Sequence, residues 1–288
     1  MKKVLYVASE AVPFIKTGGL ADVVGSLPKC FDKRYFDVRV VIPKYLCMYQ
    51  QYKDMMKHVT NFYMTLGWRK QYVGVLEAQI DGITFYFIDN EFYFAGGRPY
   101  GNIYEDVEKF AFFSKAALSI LPLIDFRPDI IHCHDWQTGL IPVFLKEKFA
   151  EGEFYRGIKS VMTIHNLKFQ GVWDMKTIKD ITGINPSYFT PDKLGFYDDA
   201  NYLKGGITYA DAITTVSPTY AEEIKTPEYG EHLDGLLCAR ASSLRGILNG
   251  IDYDEYNPET DPNLYKNYNA KNFRKEKSKN KIALQKDL

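Results

Sequence analysis

The sequence predicts an α/β fold: a doubly wound, mainly parallel sheet with an antiparallel hairpin extension. Three observations carry this. Continuous apolar runs recur at strand length, and each is followed by a loop and a helical pattern. One stretch, residues 59–88, breaks that rhythm with turn signals at hairpin spacing. Apolar runs without polar alternation mark strands covered on both faces, as in parallel sheets.

In chain order, Val4 to Ala8 is the first such strand, and a helix from about Gly19 to Phe31 follows. Val38 to Ile42 is the second, ended by Pro43. Next comes the hairpin region, where Asp81-Gly82 separates VGVLEAQI from ITFYFI. A two-residue Asp-Gly loop suits the left-handed conformations of a tight hairpin turn. Ile130 to Cys133 is another strand, with a helix from about Trp136 to Phe149. Ser160 to Ile164 and Ala212 to Val216 repeat the unit, and Gly246 to Leu248 is a last short strand. The segment NPETDPNLYKNYN reads as a linker, and AKNFRKEKSKNKIALQKDL after it has helical composition. We therefore expect one domain over residues 1–256, with residues 257–288 forming the linker and the start of a second domain.

Composition excludes several function classes. The 288 residues are 46% apolar, enough for a sizeable core. Lys plus Arg equals Asp plus Glu at 36 each, which leaves no electrostatic footprint for nucleic acid or a membrane surface. No run approaches the ~20 apolar residues of a membrane span. The opening MKKVLYVAS is too short for a secretory signal and passes directly into Glu10. Cys30, Cys47, Cys133 and Cys238 show no CxxC spacing and read as reduced thiols of a cytoplasmic protein. The 22 Tyr and 19 Phe fit core packing better than a sugar-binding surface.

Four segments place polar residues where strands end. In SEAVPFIKTGGLADVVGSLP, Gly18-Gly19 removes side chains at the start of a helix, and Lys16 stands two residues ahead. Unpaired N–H groups at such a helix end, with a nearby ammonium, suit an anion. A tight strand–helix turn with an exposed lysine fits the same residues. Neither GxxxxGK[ST] nor GxGxxG follows the strand, which disfavours a P-loop ATPase and a nicotinamide-dependent oxidoreductase. In IIHCHDWQTGL, strand alternation puts His132 and His134 on one face and Cys133 and Asp135 on the other. The imidazoles and the thiol therefore diverge, against a zinc site. Asp135, at the strand end, can reach a cleft or cap the next helix. In VMTIHNLKFQG, His165 and Asn166 can bind hydroxyls and oxyanions, or simply order their own loop. In GILNGID, Asn249-Gly250 permits a left-handed turn after a strand.

Together LYVASEAVPFIKTGGLADVVGSLPK, HCHDWQTGL, TIHNLKFQG, SPTYAEEIKTPEYGEHLDGLL and LNGIDYDEYNP resemble, in order and spacing, the N-terminal half of bacterial glycogen synthases and plant starch synthases. The resemblance implies two Rossmann-like domains facing across a cleft, the GT-B glycosyltransferase arrangement. It also implies retaining transfer of glucose from ADP-glucose to the non-reducing end of an α-1,4-glucan, with no metal and no cofactor. By the same resemblance, Lys16, Gly18 and Gly19 contact the donor diphosphate or its sugar. Asp22, Asp135, Asn166 and Asn249 line the cleft, and His165 sits against the transferred glucose. His165 and Asp135 are then the catalytic positions, and Glu10 and Tyr100 match further cleft positions. Arg98 follows Ala95-Gly96-Gly97 where similar sequences carry an arginine sooner; Lys109 stands where arginine is usual, and His232 where glycine is common.

The implied partners are ADP-glucose, glycogen or a maltooligosaccharide, and the protein's own C-terminal domain, with no nucleic acid and no membrane. Adenine and phosphate contacts in such enzymes belong mainly to that second domain, so the chain by itself is expected to lack useful transferase activity. The competing expectation is a stand-alone glucan- or nucleotide-binding module without catalysis.

Overall fold

The apolar N-terminal run forms β1 (Lys2–Val7), which lies inside the sheet between β2 (Phe36–Pro43) and β6 (Ile130–His134) and is parallel to both. In the computed structural model, which describes residues 1–288, the chain forms two units, Met1–Leu248 and Asn249–Leu288. Between β1 and β2 runs α1 (Gly19–Ser26), and α2 (Gln50–Asp54) follows β2. The predicted first helix extends only to Ser26 as α-helix, and Leu27–Cys30 tightens to a 3₁₀ turn around Pro28.

Residues 57–89 form β3 (Lys57–Leu66), β4 (Arg69–Ile80) and β5 (Ile83–Asp89). The turn between β4 and β5 has Asp81 at φ 53° and Gly82 at φ 72°, the doubly left-handed geometry that favours Asp-Gly. The antiparallel extension is continuous with the main sheet, because β5 pairs with β4 on one side and runs parallel to β2 on the other.

After α3 (Glu91–Phe94) comes α4 (Ile103–Ser119), a long helix that the apolar patterning did not reveal. Val107, Phe110, Ala111, Phe112, Phe113, Ala116, Ala117 and Leu118 are all buried, so the helix has no broad polar stripe to betray its period. Its capping signal was present: the Asn102 side chain accepts the Glu105 N–H at 3.0 Å.

The second half repeats strand and helix. β6 leads into a helical run containing α5 (Leu140–Phe144), then β7 (Lys159–Ile164). A small antiparallel sheet follows, made of β8 (Val172–Asp174), β9 (Gly195–Phe196) and β10 (Asp199–Asn201), with α6 (Met175–Thr182) between β8 and β9. Then come α7 (Tyr202–Tyr209), β11 (Ala212–Thr215), α8 (Pro218–Glu223), α9 (Asp234–Ala239) and β12 (Leu244–Gly246). The nine-stranded sheet has the order β12-β11-β7-β6-β1-β2-β5-β4-β3, parallel except where β4 meets its neighbours.

In the Asn249–Leu288 unit, α10 (Phe273–Asp287) holds the preceding segment through Asn280, which accepts the Lys266 N–H at 3.0 Å and donates to the Lys266 carbonyl at 2.7 Å. No helix of the chain is long and apolar enough to cross a membrane.

Candidate functional site

Chain order reverses at β1. The chain runs outward through β2 and β5 on one side and resumes on the other side with β6 and β7. In open α/β sheets ligands bind outside the carboxyl ends of the strands at such a reversal. Three strand ends meet there: β1 delivers Ser9 and Glu10, β6 delivers His134 and Asp135, and β7 delivers His165 and Asn166.

The loop after β1 is organised by Glu10, which is only 3% exposed. Its carboxylate accepts the backbone N–H of Thr17, the Thr17 hydroxyl at 3.0 Å and the N–H of Gly18. The Tyr100 hydroxyl also donates to Glu10 at 3.2 Å and lies 2.7 Å from Ser9 Oγ. Burial raises the Glu10 pKa, and these hydrogen bonds oppose the rise. The sequence alone leaves the amides of this loop open to an anion; the structure gives those of Thr17 and Gly18 to Glu10. What remains is the first turn of α1, where the N–H groups of Gly19 and Leu20 have no partner within the helix.

Gly18 is extended (φ −155°, ψ −171°), a conformation any residue adopts, so its backbone does not require glycine. A Cβ on either Gly18 or Gly19 would project into open space, so glycine here leaves room beside the helix end. Lys16 Nζ lies 2.7 Å from Asp22 Oδ1, and both side chains are partly exposed.

Tyr100 is itself fixed from below. The Lys109 ammonium, buried on α4, lies 2.5 Å from Asp106 Oδ1 and donates to the Pro99 carbonyl at 2.7 Å. Asp106 in turn accepts the Gly101 N–H at 3.0 Å. Lys109 and its partner Asp106 thus clamp the two peptides flanking Tyr100, one each.

At β6, the period-two expectation holds. His132 and His134 share a face, with ring centroids 4.3 Å apart, and both rings contact Tyr6. Cys133 is buried on the opposite face, where desolvation raises its thiol pKa. No group of three or more His, Cys, Asp or Glu is placed to hold a metal ion.

Asp135 does not cap the helix that follows, which is a correction to one of its two expected roles. Its backbone is left-handed (φ 55°), and its carboxylate turns to the next strand instead. Oδ1 accepts the N–H of His165 at 2.7 Å and that of Asn166 at 3.4 Å. Burial pushes its pKa up to about 7; the two N–H groups pull it down and the Glu10 charge adds a smaller upward push.

His165 Nε2 lies 2.9 Å from His134 Nδ1, and burial lowers the His165 pKa to about 4, so the ring is neutral near pH 7. Asn166 is exposed, and its Oδ1 accepts the Lys168 N–H at 3.1 Å. Gly171, at φ 65°, ends this loop where a Cβ would run into the Trp136 ring. His232 adopts φ 66°, in the left-handed region that favours glycine. Asn249 is exposed and belongs to the Asn249–Leu288 unit.

The first unit therefore brings together Glu10, Lys16, Gly18, Gly19, Asp22, Tyr100, Asp135, His165 and Asn166 in segments at one sheet edge. Sequence reasoning missed Ser9, Thr17 and Asp106 as supports, and the His134–His165 contact. That contact follows from the pairing of β6 with β7, in which His134 lies opposite Thr163, two residues before His165, a register that the sequence does not display. Chemically, the edge offers a cation, free helix-end donors, a neutral imidazole and a carboxyl group, a set suited to a ligand with both an anionic part and hydroxyls.

A family model described as "Starch synthase catalytic domain" matches residues 3–239. Among curated proteins, glycogen synthase of Lachnospira eligens is 71% identical over all 288 residues, which make up 60% of that protein. Glycogen synthase of Lachnoclostridium phytofermentans is 68% identical over the same span, again 60% of its length. Among solved structures, the catalytic domain of starch synthase IV from Arabidopsis thaliana, bound to ADP and acarbose, matches with a TM-score of 0.89 at 33% identity, over all of this chain and 59% of that one. The chain thus spans about 60% of the length of the curated relatives it matches.

Proposed function

The chain belongs to the starch synthase catalytic domain family, and on that premise we propose that it is the N-terminal part of a retaining glucosyltransferase. The enzyme moves glucose from ADP-glucose to the non-reducing end of an α-1,4-glucan, in the cytoplasm, and a second domain completes the site. The observation that carries this reading is the convergence of the Glu10-held loop, Asp135 and His165 at the point where strand order reverses. Similarity to glycogen synthases at 71 and 68% identity supports it, as does likeness to a starch synthase solved with ADP.

The chemistry follows from charge. As the bond from glucose to diphosphate loosens, the sugar becomes oxocarbenium-like and the diphosphate gains negative charge. Lys16 and the first-turn amides of α1 receive that charge; a preorganised donor of this kind is worth roughly 10²–10³ in rate. Lys16 can turn from Asp22 to the diphosphate at small cost, because a partly exposed ion pair contributes only about 0–1 kcal/mol. The neutral His165 ring hydrogen-bonds the glucose, and Asp135 holds the peptide that carries it. Asn166 binds hydroxyls. Closure of the second domain excludes water and favours transfer over hydrolysis.

The test uses the polypeptide encoded by the full reading frame, given ADP-glucose and glycogen. ADP release matched by glucose incorporated into glycogen is expected, and ligand binding with neither product would sink the reading in favour of a binding module. The present chain assayed alone is expected to release ADP at background.

A further inference from the structure

We propose that His134 is a positioning residue that fixes the tautomer of His165, so that His165 presents Nδ1–H, a hydrogen-bond donor, to its ligand. The inference deepens the glucosyltransferase reading, and rests on it only for the identity of the ligand.

His134 Nδ1 and His165 Nε2 lie 2.9 Å apart, so one of the two nitrogens carries the shared proton. Burial keeps both rings neutral, which gives each a single N–H. Two arrangements exist. If His165 Nε2–H donates, the proton of His134 sits on its own Nε2. That atom is fully buried and has no hydrogen-bond partner, so the arrangement leaves an orphaned N–H. If His134 Nδ1–H donates, only a lone pair is left unmet at Nε2, and the His165 proton moves to Nδ1. Buried N–H groups without an acceptor are rarer in native proteins than acceptors short of a donor. The second arrangement is therefore the one assigned, and the bond made by one ring nitrogen sets the state of the other.

His134 is well built for this task. It is fully buried and its ring is stacked on His132 at 4.3 Å and on Tyr6 at 5.4 Å. His132 is anchored in turn through Nε2, 2.5 Å from Thr163 Oγ1, which lies 2.6 Å from Thr214 Oγ1. The ring plane of His134 is thus held from both sides of β6, by Tyr6 of β1 directly and by Thr163 of β7 through His132, and its Nδ1 addresses the loop that carries His165.

The test is long-range ¹H–¹⁵N correlation NMR on this 288-residue chain with ¹⁵N-labelled histidine rings, the His165 signals being identified by their loss in His165→Gln. The expected result is a protonated Nδ1 and an unprotonated Nε2 at His165, with the same pattern at His134. A proton on His165 Nε2 would overturn the proposal, whatever the longer enzyme turns out to catalyse. In the longer enzyme, His134→Phe is expected to lower kcat about tenfold with KM for ADP-glucose little changed. His134→Asn, whose amide can donate from the δ position, is expected to recover most of it. Equal losses in the two variants would overturn the positioning role, and the wild-type spectrum decides the tautomer even if neither variant folds.

Discussion

Asp135, at the end of β6, accepts the backbone N–H of His165, at the end of β7, at 2.7 Å. Two parallel neighbours are thereby tied at their carboxyl ends by a side chain where ladder bonds stop. The same oxygen meets the Asn166 N–H at 3.4 Å, so one carboxyl group shapes the start of the whole loop. Removing it leaves the part-buried His165 N–H unmet, at about 1–3 kcal/mol. Asp135→Ala is expected to lose that much stability in urea unfolding. Asp135→Asn, which keeps an acceptor oxygen, is expected to stay within about 1 kcal/mol of wild type; equal losses would show that the carbonyl-type contact is not what matters.

Stability is expected to fall as pH falls below 6.5. Burial lowers the pKa of His132 to about 3 and of His165 to about 4, and depresses His134 well below its ordinary 6.5. Depressed folded values mean that the unfolded chain binds protons first. The contribution is full above 6.5 and is lost as pH drops towards the folded values, at about 1.4 kcal/mol per pH unit for each group. Asp135 opposes this: its value is raised from 3.8 to about 7, so its contribution is full below 3.8 and is lost as pH rises towards 7. Urea midpoints of wild type and His165→Gln between pH 4.5 and 7.5 check the sign. The variant's curve is expected to be shallower by about one proton between pH 6.5 and 4.5, and parallel curves would refute the assignment to His165.

The Lys109–Asp106 pair is expected to be indispensable to the Tyr100 loop. Its atoms are 2.5 Å apart and buried, and removing one member of such a pair typically costs about 3–5 kcal/mol. Lys109→Met is expected to lose that amount and to speed hydrogen exchange at the Gly101 amide. Lys109→Arg is expected to retain most of the stability, and a Met variant as stable as wild type would show the pair to be dispensable.

The sequence made the parallel strands legible because each carries a short, mainly apolar core, such as residues 4–7 in β1 and Val161-Met162 with Ile164 in β7. The Asp81-Gly82 turn was legible because its left-handed geometry restricts residue choice. Helix α4 was hidden, since burial of Phe110, Phe112 and Phe113 on different faces erases the amphipathic period. At the candidate site, His165, Asp135 and the KTGG turn could be picked out as polar residues at strand ends. Their mutual contacts could not, because Glu10 to Thr17, Tyr100 to Glu10 and Asp135 to His165 are set by strand order and tertiary approach. The role of Glu10 ran against the local reading: a buried carboxylate fills two of the amides that looked reserved for a ligand.

In the proposed reaction Lys16, beside the open first turn of α1, receives the charge of the departing diphosphate. The direct measurement is turnover of ADP-glucose by the longer enzyme carrying Lys16→Ala, set against its melting temperature. A fall of roughly 10²–10³ in kcat is expected with a melting temperature close to wild type, because the Lys16–Asp22 pair is partly exposed. Turnover that stays unchanged, or that declines only in step with thermal stability, would contradict it.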